Sequence, residues 1–122
     1  MVARTRGEVE AELARAVVKF EKDHLGRGPM DARAFLVNDM ILLRLRSELN
    51  EADRKLAETS EGQALVRETR RKLFEISRPI FEEMVEQIVG CNLVSFHSDM
   101  SAKTGERVIV LTVDANLDTL YR

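Results

Sequence analysis

Near the C-terminus, polar side chains of several chemical kinds are concentrated within ten residues. The segment His97-Ser-Asp-Met-Ser-Ala-Lys-Thr-Gly-Glu106 holds an imidazole, carboxylates, hydroxyls and one ammonium group. Lys103 could supply charge to a small anion, and the hydroxyls of Ser101 and Thr104, with turn amides, could supply hydrogen bonds. His97 and Asp99 could move a proton. Segment 97–106 is therefore a candidate loop for binding a small anion or another small polar ligand.

The same segment also has a purely structural interpretation. Asp99 and Ser101 are ordinary turn formers, Thr104-Gly105 suits the end of a hairpin, and a lone lysine is usually solvated. This interpretation is the more economical one. Ten residues of dense polar chemistry nevertheless exceed what a hairpin needs, so ligand binding stays as an alternative.

Arg27 is a second candidate contact for an anion. Gly26-Arg27-Gly28 could form a nest of backbone amides beside the guanidinium. The segment matches neither a Walker loop nor the dinucleotide fingerprint, because both need more glycines and open a helix. Here the glycines follow a helix, so a helix cap with a solvated Arg27 is the simpler interpretation.

No metal, cofactor or complete catalytic constellation is predicted. The two histidines, His24 and His97, are distant in the sequence, and the single cysteine, Cys91, cannot build a zinc site. Cys91 has no activating base nearby in the sequence and is expected to be a buried, inert thiol. We therefore lean against an enzyme.

The bulk composition predicts one soluble, cytoplasmic domain over residues 1–122. Of these residues, 44% are hydrophobic and 33% charged, which is typical of a folded chain with its own core. A net charge of −2 argues against a nucleic-acid partner. No secretory segment is visible, no apolar run approaches the ~20 residues of a transmembrane helix, and a lone cysteine suits a reducing compartment.

Hydrophobic periodicity, caps and turn residues predict an α+β fold in the order α-ββ-αα-ββ. The two hairpins are expected to form one four-stranded antiparallel sheet packed with helices. Pro79 should kink or break the long helix. The predicted elements are helices at 6–23, 51–58 and 60–89, strands at 31–37, 40–47, 91–98 and 107–114, a core of about 6–114 and a loose C-terminal tail at 115–122.

Two observations predict a homodimer. Residues 40–43 and 108–111 do not alternate between apolar and polar, so either helices cover both faces of the sheet or a second subunit covers one. A straight helix of some 30 residues would be ~45 Å long, which exceeds the ~35 Å diameter of a domain of this size. Either Pro79 breaks this helix, or its overhang packs on a second copy.

Three segments together resemble the MpsC-like family of bacterial proteins of unknown function. They are Gly26-Arg-Gly-Pro29, Leu45-Arg-Ser-Glu-Leu-Asn-Glu-Ala-Asp-Arg-Lys-Leu56 and His97-Ser-Asp-Met-Ser-Ala-Lys-Thr-Gly-Glu-Arg-Val-Ile-Val110. The resemblance covers about residues 7–114, and 97–106 is its most specific part. It implies a link to a cation-translocating, membrane-potential-generating system associated with inorganic-carbon uptake. It carries no catalytic residues to this chain.

Two functions follow from the sequence. The preferred one is a soluble accessory or regulatory protein that acts through protein–protein contacts as a homodimer, with a membrane protein as a further partner. The alternative is a small-anion or small-ligand domain, enzymatic or not, that uses the 97–106 loop. Its residues would be Arg27, His97, Asp99, Ser101, Lys103 and Thr104.

Overall fold

The computed structural model describes residues 4–25, 29, 31–47 and 49–122, so the Arg27 site falls outside the described residues. Within them, helices and strands follow the predicted order, and the α+β class is confirmed. The elements are α1 (Arg6–Leu25), β1 (Asp31–Val37), β2 (Met40–Arg46), α2 (Glu51–Leu56), α3 (Ser60–Ile76), α4 (Arg78–Met84), a π-helical turn (Val85–Val89), β3 (Leu93–Met100), β4 (Glu106–Val113) and α5 (Leu117–Leu120).

The four strands form one antiparallel sheet in the order β1-β2-β4-β3. Leu42 of β2 lies opposite Phe35 of β1 and Val110 of β4, and His97 of β3 lies opposite Val110. These four side chains therefore stand in one row across the sheet, on the same face. Asn38 and Asp39 form the two-residue turn that the predicted strand bounds leave between β1 and β2. Asn38 adopts the left-handed backbone conformation that such a turn requires, with φ 56°.

The helices pack on one face of the sheet and build the core there. Alternate residues of each strand point to this face, because successive side chains of a strand alternate between its two sides. Phe81 of α4 packs edge-on against Phe20 of α1, with ring centroids 5.3 Å apart. The buried side chains of this core include Val9, Leu13, Val17, Leu36, Ile41, Leu43, Leu45, Phe74, Val85, Val89, Ile109, Leu111 and Leu117.

The long helical segment breaks at Ser77, as Pro79 predicts. Pro79 lies in the first turn of α4, where its missing N–H leaves no bond unmade, and the Ser77 hydroxyl donates to the Leu73 carbonyl at 2.7 Å. The π-helical turn then ends at Gly90, with φ 87°. Because the helix is broken, its length no longer calls for a second copy.

The side of α3 that packs into the protein carries Val66 and Phe74, which are buried, whereas Ile76 is 77% exposed. Thr59 caps α3, because its hydroxyl accepts from the Gly62 N–H at 3.0 Å. Asn50 caps α2, because its side-chain oxygen accepts from the Asp53 N–H at 2.7 Å.

The C-terminal segment is not the loose tail that the sequence suggested. Asn116 caps α5, whose Leu117 is buried in the core. The Tyr121 hydroxyl donates to the Val89 carbonyl at 2.6 Å and ties the end of the chain to the π-helical turn. One buried leucine and one aromatic hydroxyl anchor the segment, and neither has the periodicity by which a longer helix is recognised.

Candidate functional site

The polar loop is shorter than the sequence suggested. Strand β3 begins and ends two residues later than predicted and runs to Met100, so residues 97–100 belong to the strand and the loop between β3 and β4 spans only 101–105. His97 and Asp99 are therefore strand residues, and their side chains point away from the helices. Of the five candidate ligand contacts that lie within the described residues, His97 and Asp99 are therefore separated from Ser101, Lys103 and Thr104.

Two of the candidate hydroxyls are used inside the turn. The Ser101 hydroxyl accepts from the Thr104 N–H at 3.2 Å, and the Thr104 hydroxyl accepts from the Glu106 N–H at 3.2 Å. Gly105 has φ 77°, and a side chain there would lie 2.1 Å from the Ser47 carbonyl oxygen. The hairpin therefore accounts structurally for Gly105 and for two of the ligand-binding candidates, Ser101 and Thr104.

Lys103 and Thr104 nevertheless line a cavity of about 680 Å³ at the end of the sheet. Arg46 of β2 and Arg54 of α2 line it too, and sequence reasoning did not select either of them. They reach the cavity because β2 pairs with β4, which places Arg46 opposite Glu106. No local sequence signal indicates this contact, since more than fifty residues separate Arg46 from Lys103.

The cavity is positively charged. Its carboxylate, Glu106, accepts two hydrogen bonds from Arg44, at 2.7 and 3.0 Å, and lies 3.9 Å from the Arg46 guanidinium. Arg54 and Lys103 form no ion pair within the described part of the chain. The arrangement could attract a small anion by charge.

His97 and Asp99 lie outside this cavity and make local contacts. The His97 Nε2 atom lies 3.2 Å from the Ser95 hydroxyl, and Asp99 accepts from the Met100 N–H at 2.8 Å. Across the described residues, no group of three or more histidine, cysteine or carboxylate side chains is placed to hold a metal ion. Burial, with a smaller effect from Asp114, raises the pKa of the Cys91 thiol to about 11.

The second candidate feature is a face of the sheet. The face of the sheet opposite the helices, which we call the open face, has no cover within the described residues. Its apolar side chains include Phe35, which is 39% exposed, and Val37, which is 48% exposed, both on β1. Leu42 on β2 and Val110 on β4 are half-buried and continue the apolar surface toward β3. The open face is formed by Asp31, Arg33, Phe35, Val37, Met40, Leu42, Arg44, Arg46, Ser95, His97, Asp99, Glu106, Val108, Val110 and Thr112.

Both edges of the sheet are partly occupied by side chains. On β1, the Leu36 N–H donates to Glu10 of α1 at 2.9 Å, and the Leu36 carbonyl accepts from Arg6. On β3, Arg78 donates to the Val94 carbonyl at 3.3 Å, next to a break in the strand register. Such contacts and irregularities hinder the addition of another strand. The open face, rather than an edge, is therefore the surface of the sheet that stays uncovered within the described residues.

Fold and site together define a small α+β protein with a half-covered antiparallel sheet and no assembled catalytic group in the described residues. Within these residues, no helix is long and apolar enough to cross a membrane. Residues 5–115 match the family model described as Na+-translocating membrane potential-generating system (MpsC). The chain belongs to this family, as its sequence motifs indicated.

Two relatives come from Bacillus subtilis (strain 168), and both are described as uncharacterized. The chain is 31% identical to the protein YbcI over 115 residues, which cover 94% of this chain and 93% of YbcI. It is 27% identical to the protein YrhF over 101 residues, which cover 82% and 83% of the two chains. No solved structure matches the chain significantly.

Proposed function

We propose that this protein is an accessory or regulatory component that acts through protein–protein contacts, and that a second copy covers the open face. The observation that carries the proposal is the continuous apolar surface formed by Phe35, Val37, Met40, Leu42 and Val110. An antiparallel sheet with one solvated face normally alternates between apolar and polar residues. Contiguous exposed apolar surface in a folded domain is typical of an interaction site.

The family description suggests the process that the dimer serves. The family is described by the name of a Na+-translocating, membrane-potential-generating system. We propose that the dimer works in the cytoplasm and supports such a system by contacting a membrane protein. The inorganic-carbon connection implied by the family resemblance belongs to the same proposal.

Dimer formation is tested by light scattering on the purified protein. The double substitution Phe35→Lys/Val37→Lys places two charges on the open face at positions that are already exposed, so folding should be retained. We expect the wild type to have twice the 13.9 kDa mass of one chain and the variant to have the monomer mass. A matched control is Leu65→Lys/Ile76→Lys, which adds the same charges at exposed apolar positions on α3. A wild-type protein that is monomeric at ~100 µM would contradict the dimer.

The role in the cell is tested by deleting the gene in its own organism and measuring membrane potential with a voltage-sensitive dye. We expect the deletion to reduce the potential and the wild type to restore it. The Phe35→Lys/Val37→Lys variant should fail to restore it, while the α3 control should succeed. An unchanged potential in the deletion strain, under conditions that require Na+ translocation, would contradict the link to the transport system.

The positively charged cavity supports a second candidate function, the binding of a small anion. Lys103, Arg46 and Arg54 supply the charge, and Thr104 and Ser47 supply hydroxyls. Thermal unfolding in phosphate or bicarbonate tests it. An anion at 100 times its dissociation constant would add ~2.7 kcal/mol to the stability of the folded state. Lys103→Ala should abolish the rise in Tm, and Lys72→Ala, an exposed lysine on α3, should leave it unchanged.

A further inference from the structure

We infer that the second copy packs face to face on the open face with its two-fold axis parallel to the strands, between β2 and β4. This inference rests on the proposed function, since it specifies how the dimer forms. It starts from the distribution of charge on the open face. Arg33 on β1 and Asp99 on β3 lie at opposite ends of one row of side chains, through Arg44 and Val108.

The next row toward the loop has the same polarity. It contains Arg46 on β2 opposite Glu106 on β4. Positive charge therefore lies on the β1-β2 half of the sheet and negative charge on the β4-β3 half, apart from Asp31 at the end of β1. The two remaining rows are mainly apolar on β1, β2 and β4.

Rotation about a two-fold axis parallel to the strands exchanges the β1 side of the sheet with the β3 side. It leaves each row of side chains at the same position along the strand direction. It places β1 of one copy over β3 of the second copy, and β2 over β4. Arg33 then faces the second copy's Asp99, and Arg46 faces the second copy's Glu106. Because the axis is two-fold, each of these opposite-charge contacts occurs twice.

The same operation also brings the apolar groups together. Leu42 and Val110 lie on the two strands beside the axis, so both copies contribute these side chains to the centre of the interface. Phe35 comes to lie over the second copy's His97, where two aromatic rings can stack. An apolar centre with charged pairs at its margin is the usual anatomy of a protein–protein interface.

The other face-to-face arrangement has its axis perpendicular to the strands, and it is unfavourable. It reverses the order of the rows and places each strand over its own copy. Arg33 would then lie over the second copy's Phe35, and Arg44 over its Leu42. The Arg33 guanidinium of each copy would lose water without gaining a carboxylate, whereas the first arrangement places it over Asp99, and burying an unpaired charge is costly.

The twist of the sheets is compatible with the axis parallel to the strands. Packed sheets cross at ~30°. Neighbouring strands are ~4.8 Å apart, so an outer strand lies ~7 Å from an axis between the two central strands. The crossing displaces β1 relative to β3 of the second copy by roughly 4 Å, about one residue along the strand. An arginine side chain can span that displacement.

Both members of the outer charge pair are available for a partner. The Arg33 side chain is 69% exposed, and its contact with a carboxylate in the same chain is 3.9 Å, to Asp31. Asp99 forms no ion pair within the described residues and accepts one bond from the Met100 N–H. A contact between Arg33 of one copy and Asp99 of the second copy therefore disrupts no strong ion pair within either chain.

Charge reversal and its rescue test this arrangement. Arg33→Asp and Asp99→Arg should each raise the dissociation constant of the dimer about tenfold or more, because each puts like charges at both symmetric contacts. The double variant Arg33→Asp/Asp99→Arg restores opposite charges and should return the dissociation constant to near its wild-type value. Lys72→Asp, a reversal on α3 away from the open face, should have no effect.

A covalent trap gives an independent readout. In a Cys91→Ala background, a short bis-maleimide, matched to the ~10 Å separation of packed sheets, should link the cysteine of Arg33→Cys in one copy to that of Asp99→Cys in the second copy and give a covalent dimer on a denaturing gel. A link within one chain would have to span the ~14 Å between the outer strands β1 and β3, and it would leave the mass on the gel that of one chain. The pair Arg33→Cys/Lys72→Cys is the control and should remain monomeric on the gel.

The outcomes separate this inference from the proposal on which it rests. Rescue by the double reversal, or a covalent dimer from the cysteine pair, supports the strand-parallel axis. Suppose that Phe35→Lys/Val37→Lys dissociates the dimer while the reversals have no effect and the cysteines do not cross-link. The open face would then be the interface, and this arrangement would be wrong. A wild-type protein that is monomeric at every concentration would overturn both.

Discussion

At the scale of single residues, the most unusual feature is a buried ion pair between the helices and the sheet. Glu21 of α1 and Arg107 of β4 are 2% and 5% exposed, and Arg107 donates a hydrogen bond to Glu21. Arg107 also donates to the Ser47 hydroxyl at 3.1 Å, and its guanidinium lies 5.2 Å from the centre of the Phe74 ring. One oxygen of Glu21 and one nitrogen of Arg107 have no hydrogen-bond partner in the described protein.

Removing one member of this pair should be far worse than removing both. We expect Glu21→Leu or Arg107→Met alone to reduce the free energy of unfolding by about 3–5 kcal/mol, since each leaves a buried charge unpaired. The double variant Glu21→Leu/Arg107→Met should lose much less than the sum of the two. Urea unfolding with constant m-values measures this difference. Additive losses would show that the two residues act independently.

Sequence reasoning had mixed success at this scale. It selected Lys103 and Thr104, which line the cavity, but it grouped them with His97 and Asp99, which lie on the open face. It did not select Arg107, because a buried arginine in a strand looks like any other charged residue in the sequence. Its carboxylate lies 86 positions away on α1.

At the scale of elements, the close approach of α2 and α3 depends on Gly62. A Cβ atom at Gly62 would lie 1.6 Å from the Leu56 carbonyl oxygen, so no side chain fits without moving one helix. We expect Gly62→Ala to lower the free energy of unfolding by on the order of 2 kcal/mol, although alanine normally favours a helix. Thermal or urea unfolding measures it.

Gly7 in α1 provides the matched control for this prediction. It is also helical, and nothing lies within 4 Å of the position that its Cβ would take. Gly7→Ala should therefore stabilise the protein, by up to ~1 kcal/mol. If Gly62→Ala were equally stabilising, the short distance between the two helices would not reflect the packing in solution.

At the scale of the whole molecule, the proposed dimer has a thermodynamic consequence. If unfolding separates the two copies, mass action makes Tm depend on protein concentration. For two chains of this length we expect a rise of about 3 °C per tenfold increase in concentration. The Phe35→Lys/Val37→Lys variant should unfold at a Tm that does not change with concentration. A wild-type Tm that is constant from ~1 to ~100 µM would contradict the dimer.

The sequence by itself determined the local structure. The conformational preferences of a few neighbouring residues set each local feature. These features are the cap at Asn50, the turn at Asn38-Asp39, the helix break before Pro79 and the helix end at Gly90. For that reason the order of elements, the α+β class and the family could be predicted without coordinates.

Only the tertiary structure decided what lies on which side of the sheet. Residues 40–43 and 108–111 indicated that both faces are apolar, and the packing of every covering helix on one face left the other open. The strand order β1-β2-β4-β3 likewise placed Arg46 beside Lys103, and put Arg33 and Asp99 at opposite ends of one row. These placements depend on contacts between residues far apart in the chain, and local propensity does not encode such contacts.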